Sequence, residues 1–159
     1  MQSTLATFRD HWQHLRDLTY AFAEAVPDAL WLESPHPRVT PFAKQLRHVV
    51  CVQGVYQEGL AMRRVDFGRK HEHYRGPLER QALVAALRAR DAELDVLLAK
   101  LSSEPWERIV IEFFDMRPDV ARYLATWTQH EALHHGQWSL YAALGGFETP
   151  PLWRFGWGL

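Results

Sequence analysis

Apolar residues recur every three or four positions over long stretches of this 159-residue chain. That spacing puts them on one face of an α-helix, so each such stretch predicts an amphipathic helix. The clearest stretch is the first, whose apolar residues are Leu5, Phe8, Trp12, Leu15, Leu18, Phe22 and Val26. An apolar helix face must be covered, and we expect it to pack against other helices of the chain.

Three more helices are predicted from their start signals. A threonine hydroxyl can cap free amides, and a proline at the first helical position loses no hydrogen bond, so Thr40 and Pro41 open the second helix. A Gly-Pro pair opens the third, Pro118 opens the fourth, and two glycines stop the fourth. The predicted ranges are residues 40–62, 76–101 and 118–144, and residues 27–41, with four prolines, form a long connection.

One segment departs from this pattern. Residues 107–114, ERIVIEFF, are rich in β-branched and aromatic side chains and predict a short extended piece, but one strand cannot make a sheet. The predicted fold is therefore all-α, a four-helix bundle with a long loop between helices 1 and 2, in which facing helices can build a site. Residues 1–159 are expected to form a single domain, whose aromatic tail, residues 147–159, packs back on the bundle in preference to a second subunit.

Composition argues against several classes of partner. The formal net charge is −1, and the basic stretch at residues 63–80 is interrupted by acidic residues, so we expect no nucleic-acid or membrane partner. A single cysteine excludes an internal disulfide and a Cys-based zinc cluster within one chain, which favours a reducing compartment. No apolar run approaches ~18 residues and the start lacks the pattern of a signal peptide, so we expect a soluble, cytoplasmic protein.

The segment HEALHH, residues 130–135, carries the strongest chemical signal. His130 and His134 lie four positions apart, share a helix face and can reach one metal ion, but two ligands alone hold a metal weakly. His48 is the best third ligand, because it lies on a buried helix, where an unpaired imidazole is costly. The residues alone leave a second reading open, with His48 hydrogen-bonded in the core and a solvated pair at 130 and 134. His135 is expected to face solvent or the next helix.

HEALH also matches HExxH, in which Glu131 would be the general base of a zinc protease. The surroundings oppose that reading, because Gln137 stands where the longer form of the motif needs glycine. We therefore expect Glu131 to lie at the surface or to support the metal ligands from behind.

Two segments together carry a family resemblance. FAKQLRHVVCVQGVY on the second helix, followed by HEALHHGQW on the last, resembles the DinB/YfiT-like family, four-helix bundles regarded as metalloenzymes. In that family one histidine comes from the second helix and two from an HxxxH that is followed by a residue, glycine and glutamine. The resemblance implies His48, His130 and His134 as metal ligands. The chain has His135 where the family commonly has arginine.

Three neutral imidazoles leave a divalent ion its charge and an open position, as in catalytic sites. Zinc is the default ion, and nickel, iron or manganese can take the same geometry. Gln137 either orients a ligand ring or a bound water, or is a surface amide. Cys51 is expected to be a small buried side chain, and the alternative roles are a nucleophile or a fourth ligand. Trp127 and Tyr56 either wall the pocket or pack the core.

The implied activity follows from the family resemblance. A low-molecular-weight thiol would bind the ion as thiolate and attack an electrophile, a thiol-dependent S-transferase reaction. The alternatives are a metal-dependent hydrolase and a non-enzymatic, stress-related metal-binding bundle. We expect a homodimer, because the aromatic tail and the long helices offer apolar area and the family often pairs.

Overall fold

A computed structural model describes residues 4–158 of the chain. Residues 1–3 and 159, which the predicted domain includes, lie outside the described residues. The α-helices are α1 (Thr4–Ala25), α2 (Asp28–Trp31), α3 (Phe42–Met62), α4 (Arg80–Ser102), α5 (Val120–Gly145) and α6 (Pro151–Trp157), with 3₁₀ turns at Phe67–Glu72 and Trp106–Arg108. The long helices α1, α3, α4 and α5 form the bundle, which confirms the predicted all-α fold.

Three of the long helices begin later than the sequence signals predict. Pro41 precedes α3, and its carbonyl, not a side chain, accepts the N–H groups of Lys44 and Gln45. The carbonyl of Pro118 is engaged by Ile111, and α5 begins after Asp119, whose carboxylate accepts the third backbone N–H of the helix at 2.8 Å. An aspartate cap of this kind satisfies an amide that the first helical turn leaves free.

The start of α4 is displaced by a contact from another element. The carbonyl of Leu78 accepts the indole N–H of Trp31 at 2.7 Å, and this residue and its neighbours stay outside the helix, which begins at Arg80. The proline signal at residue 77 therefore marks the approach to the helix and not its first turn.

The segment predicted to be extended is present as isolated bridges. The N–H of Ile111 donates to Pro118, and the N–H of Glu112 donates to the carbonyl of Arg63 at 2.8 Å. Within residues 4–158 these bridges do not extend into a sheet. The bonds made by Glu112 fasten the connection between α4 and α5 to the end of α3.

Two apolar clusters fill the bundle. One contains Phe22, Phe42 and Trp138, and the other contains Tyr56 and Trp127, among further residues. Large buried aromatic side chains of this kind contribute most of the apolar area that a small bundle buries. Several buried polar side chains belong to neither cluster, among them Arg16, Gln53 and Glu131.

The C-terminal tail differs from its prediction in one respect. Little helical signal is present in the sequence, yet residues 151–157 form α6, which begins with Pro151 at its first position. Trp153 is fully buried and its indole N–H donates to the carbonyl of Leu18 at 2.9 Å, so the tail packs on α1. Phe155 of the same helix is 90% exposed.

None of the described helices is long and apolar enough to cross a membrane.

Candidate metal centre

His48 on α3 and His130 and His134 on α5 converge at one point in the bundle. Nε2 of His130 lies 3.3 Å from Nε2 of His48 and 3.3 Å from Nε2 of His134. One nitrogen of each ring lies within 4.8 Å of the other two. The structure thus brings together the three histidines that the sequence singled out, and the pair on α5 is not a solvated helix face, because His134 is buried.

The spacing of these nitrogens fits a divalent transition metal. Nitrogens that each lie about 2.0–2.1 Å from a tetrahedral ion are separated from one another by about 3.3 Å. Two of the three nitrogen pairs have this separation. The donor set of imidazole nitrogens is the one that zinc and its neighbours in the first transition row favour.

The protonation state of the cluster also suits a metal. Burial and the neighbouring imidazole of His134 lower the pKa of His48 to about 4. Burial and the imidazoles of His134 and His48 lower the pKa of His130 to about 3. Burial lowers the pKa of His134 as well, against the opposing effect of the Glu131 carboxylate. The rings are therefore neutral at pH 7, as metal ligation requires.

A cavity of about 480 Å³ opens beside the cluster. His48 and His134 line it together with Gln137, which is exposed on α5 one turn beyond His134. A side-chain hydrogen bond with Gln137 acts against burial and favours the protonated form of His134. The exposed side chain of Gln137 thus lies between His134 and the open cavity, where it can also contact a bound molecule.

The rings of His130 and His134 connect the site to the two apolar clusters. The His130 ring lies 6.0 Å from Tyr56, and Tyr56 stacks on Trp127 at 5.4 Å. The His134 ring lies 6.1 Å from Trp138. Tyr56 and Trp127 are both buried and form an apolar wall behind His130.

Glu131 is placed differently from a protease base. Its side chain is buried at 1% exposure, which excludes the surface, one of the two positions expected for it. Oε1 accepts hydrogen bonds from Arg16 at 2.8 Å and from the Thr19 hydroxyl at 2.6 Å, both on α1. A carboxylate committed to an arginine in this way is an ion-pair partner between helices, and the arrangement argues against the HExxH reading.

His135 faces the next helix, one of the two positions expected for it. Its Nε2 lies 2.7 Å from the Thr19 hydroxyl. Because that hydroxyl gives its one proton to Glu131, Nε2 of His135 must be the donor to Thr19. The ring is buried and packs 5.2 Å from the indole of Trp153.

Arg16 and Asp91 are parts of the site's support that sequence reasoning missed. Arg16 is fully buried, and its guanidinium contacts Glu131, Asp91 at 2.9 Å, and Gln53. Asp91 stands among other charged residues of α4, and its side chain faces Arg16. A signal was present, because Arg16 falls four positions after Trp12 on the apolar face of α1, where a charge needs a buried partner.

Cys51 lies outside the cluster. It is a buried free cysteine whose Sγ lies 3.9 Å from the carbonyl of Tyr74, and burial raises the pKa of its thiol. The group of potential metal ligands found among residues 4–158 does not include it. A raised pKa and an enclosed position are those of a packing residue and not of a nucleophile.

The fold has a known counterpart. None of the curated proteins compared with the chain matches it. The crystal structure of the DinB-like protein YjoA from Bacillus subtilis superposes with a TM-score of 0.68 at 16% sequence identity, over 91% of this chain and 96% of that one. The family model described as the DinB superfamily matches residues 11–138, a span that contains all three clustered histidines. The chain therefore belongs to the DinB superfamily.

Proposed function

We propose that His48, His130 and His134 hold one divalent transition metal, with zinc as the default ion, and that the open position of this ion faces the cavity. The observation that carries the proposal is the spacing of 3.3 Å from Nε2 of His130 to Nε2 of each of the other two histidines. Three ligands with a vacant fourth position are typical of catalytic zinc, whereas structural zinc is enclosed by four.

A divalent ion in such a site lowers the pKa of water or of a thiol bound to it, and so supplies a nucleophile near neutral pH. Residues of the chain set the protonation state and the surroundings of this site. The three histidines stay neutral because burial lowers their pKa values. Tyr56 excludes water from the apolar side of His130, and Gln137 borders the open side, where it can donate to or accept from a bound molecule.

The activity we propose is thiol-dependent group transfer to an electrophile. Membership of the DinB superfamily supports it, because thiol-dependent transferases are the activity that the family resemblance implies. The size of the cavity is also suitable, since about 480 Å³ is within the range of pockets for small molecules and leaves room for a thiol and a small electrophile.

The metal proposal is tested by the metal content of untagged protein that has been purified without chelators and offered zinc, nickel and manganese. We expect about one equivalent of metal per chain, measured by plasma mass spectrometry, and its loss in His48→Ala. His11→Ala is the matched control, because His11 is exposed on α1 and outside the cluster. Wild-type protein without metal, or equal content in His48→Ala, would overturn the proposal.

The transfer proposal is tested with an aryl chloride that carries nitro groups. The thiolate sulfur forms a bond to the ring carbon, chloride leaves with the bonding electrons, and the thiol proton goes to solvent. We expect turnover that requires both added thiol and His130. Thiol-independent hydrolysis that is lost in His130→Ala would indicate a hydrolase instead, and bound metal without turnover would indicate a non-enzymatic metal-binding protein.

A further inference from the structure

The cavity beside the three histidines is lined by positive charge. Arg38 and Lys44 both border it, and none of the described residues that line it is acidic. Both side chains are exposed, and within residues 4–158 neither takes part in an ion pair. The two cations are therefore available to a negatively charged molecule in the cavity.

The start of α3 adds to this charge. The helix begins at Phe42, so the residues at positions 44 and 45 that line the cavity belong to its first turn. The first turn of a helix carries partial positive charge from its aligned peptide groups. Gln45 fixes this wall, because its amide donates to the carbonyl of Thr40 and accepts the indole N–H of Trp138 at 3.1 Å. A wall held in place in this way loses little freedom when a ligand binds.

Charged groups on other elements near the histidines do not line the cavity. Lys70, on the 3₁₀ turn that follows α3, is a cation that acts on His48. Arg16 on α1 is paired with the carboxylates of Glu131 and Asp91. The positive charge of the cavity therefore comes from Arg38, Lys44 and the start of α3.

From this arrangement we infer that the co-substrate is a small thiol that carries a carboxylate. Arg38 and Lys44 bind the carboxylate at the mouth of the cavity, and the sulfur extends to the metal position between His48 and His134. Val39 and Leu140, which line the same cavity, contact the carbon chain between the two groups. The inference rests on the proposed metal centre and adds the chemical class of the molecule that this centre takes.

Two probes of equal length separate charge from shape. 3-Mercaptopropionate and 3-mercaptopropionamide share the thiol and the carbon chain, and differ in the charge at the far end. Their affinities for the zinc-loaded protein are measured by calorimetry. We expect the carboxylate to bind about tenfold more tightly, since an exposed ion pair contributes up to about fivefold and two cations and a helix start act together.

Substitutions at the mouth of the cavity identify the cations responsible. Lys44→Gln and Arg38→Gln should each weaken binding of 3-mercaptopropionate about threefold and leave binding of the amide unchanged. Lys100→Gln is the matched control, because Lys100 is an exposed lysine on α4 that does not line this cavity. It should leave both affinities unchanged.

The zinc content of every sample is measured beside the affinities. Three results at full zinc content would overturn this inference and leave the metal centre standing. They are equal affinity for both probes, no binding of either probe, and a carboxylate preference that persists in the double variant of Lys44→Gln and Arg38→Gln. Wild-type protein that takes up no zinc overturns both. A carboxylate preference that the double variant abolishes and that Lys100→Gln retains supports the inference.

Discussion

Nε2 of His48 lies 3.3 Å from Nε2 of His130, although the two residues are 82 positions apart in the chain. His48 belongs to α3 and His130 to α5, so their approach depends on the packing of these helices. The unfolded chain has no such cluster. A metal held by this cluster must therefore bind the folded protein more tightly than the unfolded protein, and metal binding must raise the stability of the fold.

This coupling predicts a thermal shift. Zinc at a concentration of about 1,000 times its Kd should add about 4 kcal/mol to the free energy of unfolding and raise the Tm by roughly 8–16 °C. His130→Ala should abolish the rise, as measured by calorimetry or circular dichroism, and His11→Ala should retain it. An equal rise in His130→Ala would show that zinc acts elsewhere on the protein.

The lowered pKa values predict a pH dependence of the metal-free protein. In the unfolded chain a histidine titrates near pH 6.5, whereas burial holds the pKa of His130 at about 3 and that of His48 at about 4. Between these values the unfolded chain binds more protons than the folded one. The contribution of these neutral rings to the free energy of unfolding is therefore fully present above pH 6.5 and is lost as the pH falls. For His130 alone the loss from pH 6.5 to pH 5 is up to about 2 kcal/mol.

The measurement is the free energy of unfolding in urea at pH 7 and pH 5, with a chelator present. His130→Gln, which cannot titrate, should show a smaller decrease than the wild type. His11→Gln removes an exposed histidine and should leave the decrease as it is in the wild type. The same decrease in wild type and His130→Gln would mean that the His130 ring is not buried in its neutral form.

The histidine cluster could be predicted from the sequence because each of its parts has a local signal. The spacing of His130 and His134 fixes their common helix face, and the position of His48 on a strongly apolar helix marks a buried imidazole. The family resemblance then joins the two segments. What the local pattern lacks is the distance between α3 and α5, which only the packed bundle provides.

The buried contacts of Arg16 and Asp91 behind the site were harder to predict, for a physical reason. Periodicity tells which face of a helix is buried but not which neighbouring helix covers a polar residue on that face. The pattern therefore does not predict that Asp91 pairs with Arg16, which is 75 positions away in the chain and lies 2.9 Å from it. The helix α6 was missed for a related reason, because its burial depends on Trp153 finding the carbonyl of Leu18 on another element.

The buried pair of Arg16 and Glu131 predicts that removing the carboxylate and replacing it by an amide lower the stability by different amounts. Burial disfavours the charged guanidinium, but the carboxylates of Glu131 and Asp91 more than offset this and raise the pKa of Arg16. Glu131→Ala removes one of these partners and should cost about 3–5 kcal/mol of unfolding free energy in urea. Glu131→Gln keeps an oxygen acceptor for Arg16 and Thr19, and should cost roughly 1–3 kcal/mol.

Glu93 offers the matched control on an exposed pair. It binds Arg90 at 2.7 Å with a side chain that is 58% exposed, so Glu93→Ala should change the stability by less than about 1 kcal/mol. If Glu131→Ala were as mild as Glu93→Ala, the Arg16 guanidinium would have to reach water or another partner once Glu131 is gone. The buried network would then not be what joins α1 to α5.

Two of the aromatic residues of α6, Trp153 and Phe155, predict opposite outcomes. Trp153 is fully buried and donates to Leu18, so Trp153→Ala leaves a cavity and removes this hydrogen bond, and should cost about 3–5 kcal/mol in urea unfolding. Phe155 is 90% exposed, and Phe155→Ala should change the stability by less than about 0.5 kcal/mol. Light scattering of both variants over a tenfold dilution completes the test, because a large loss of stability or a change of mass in Phe155→Ala would place this side chain in an interface between subunits.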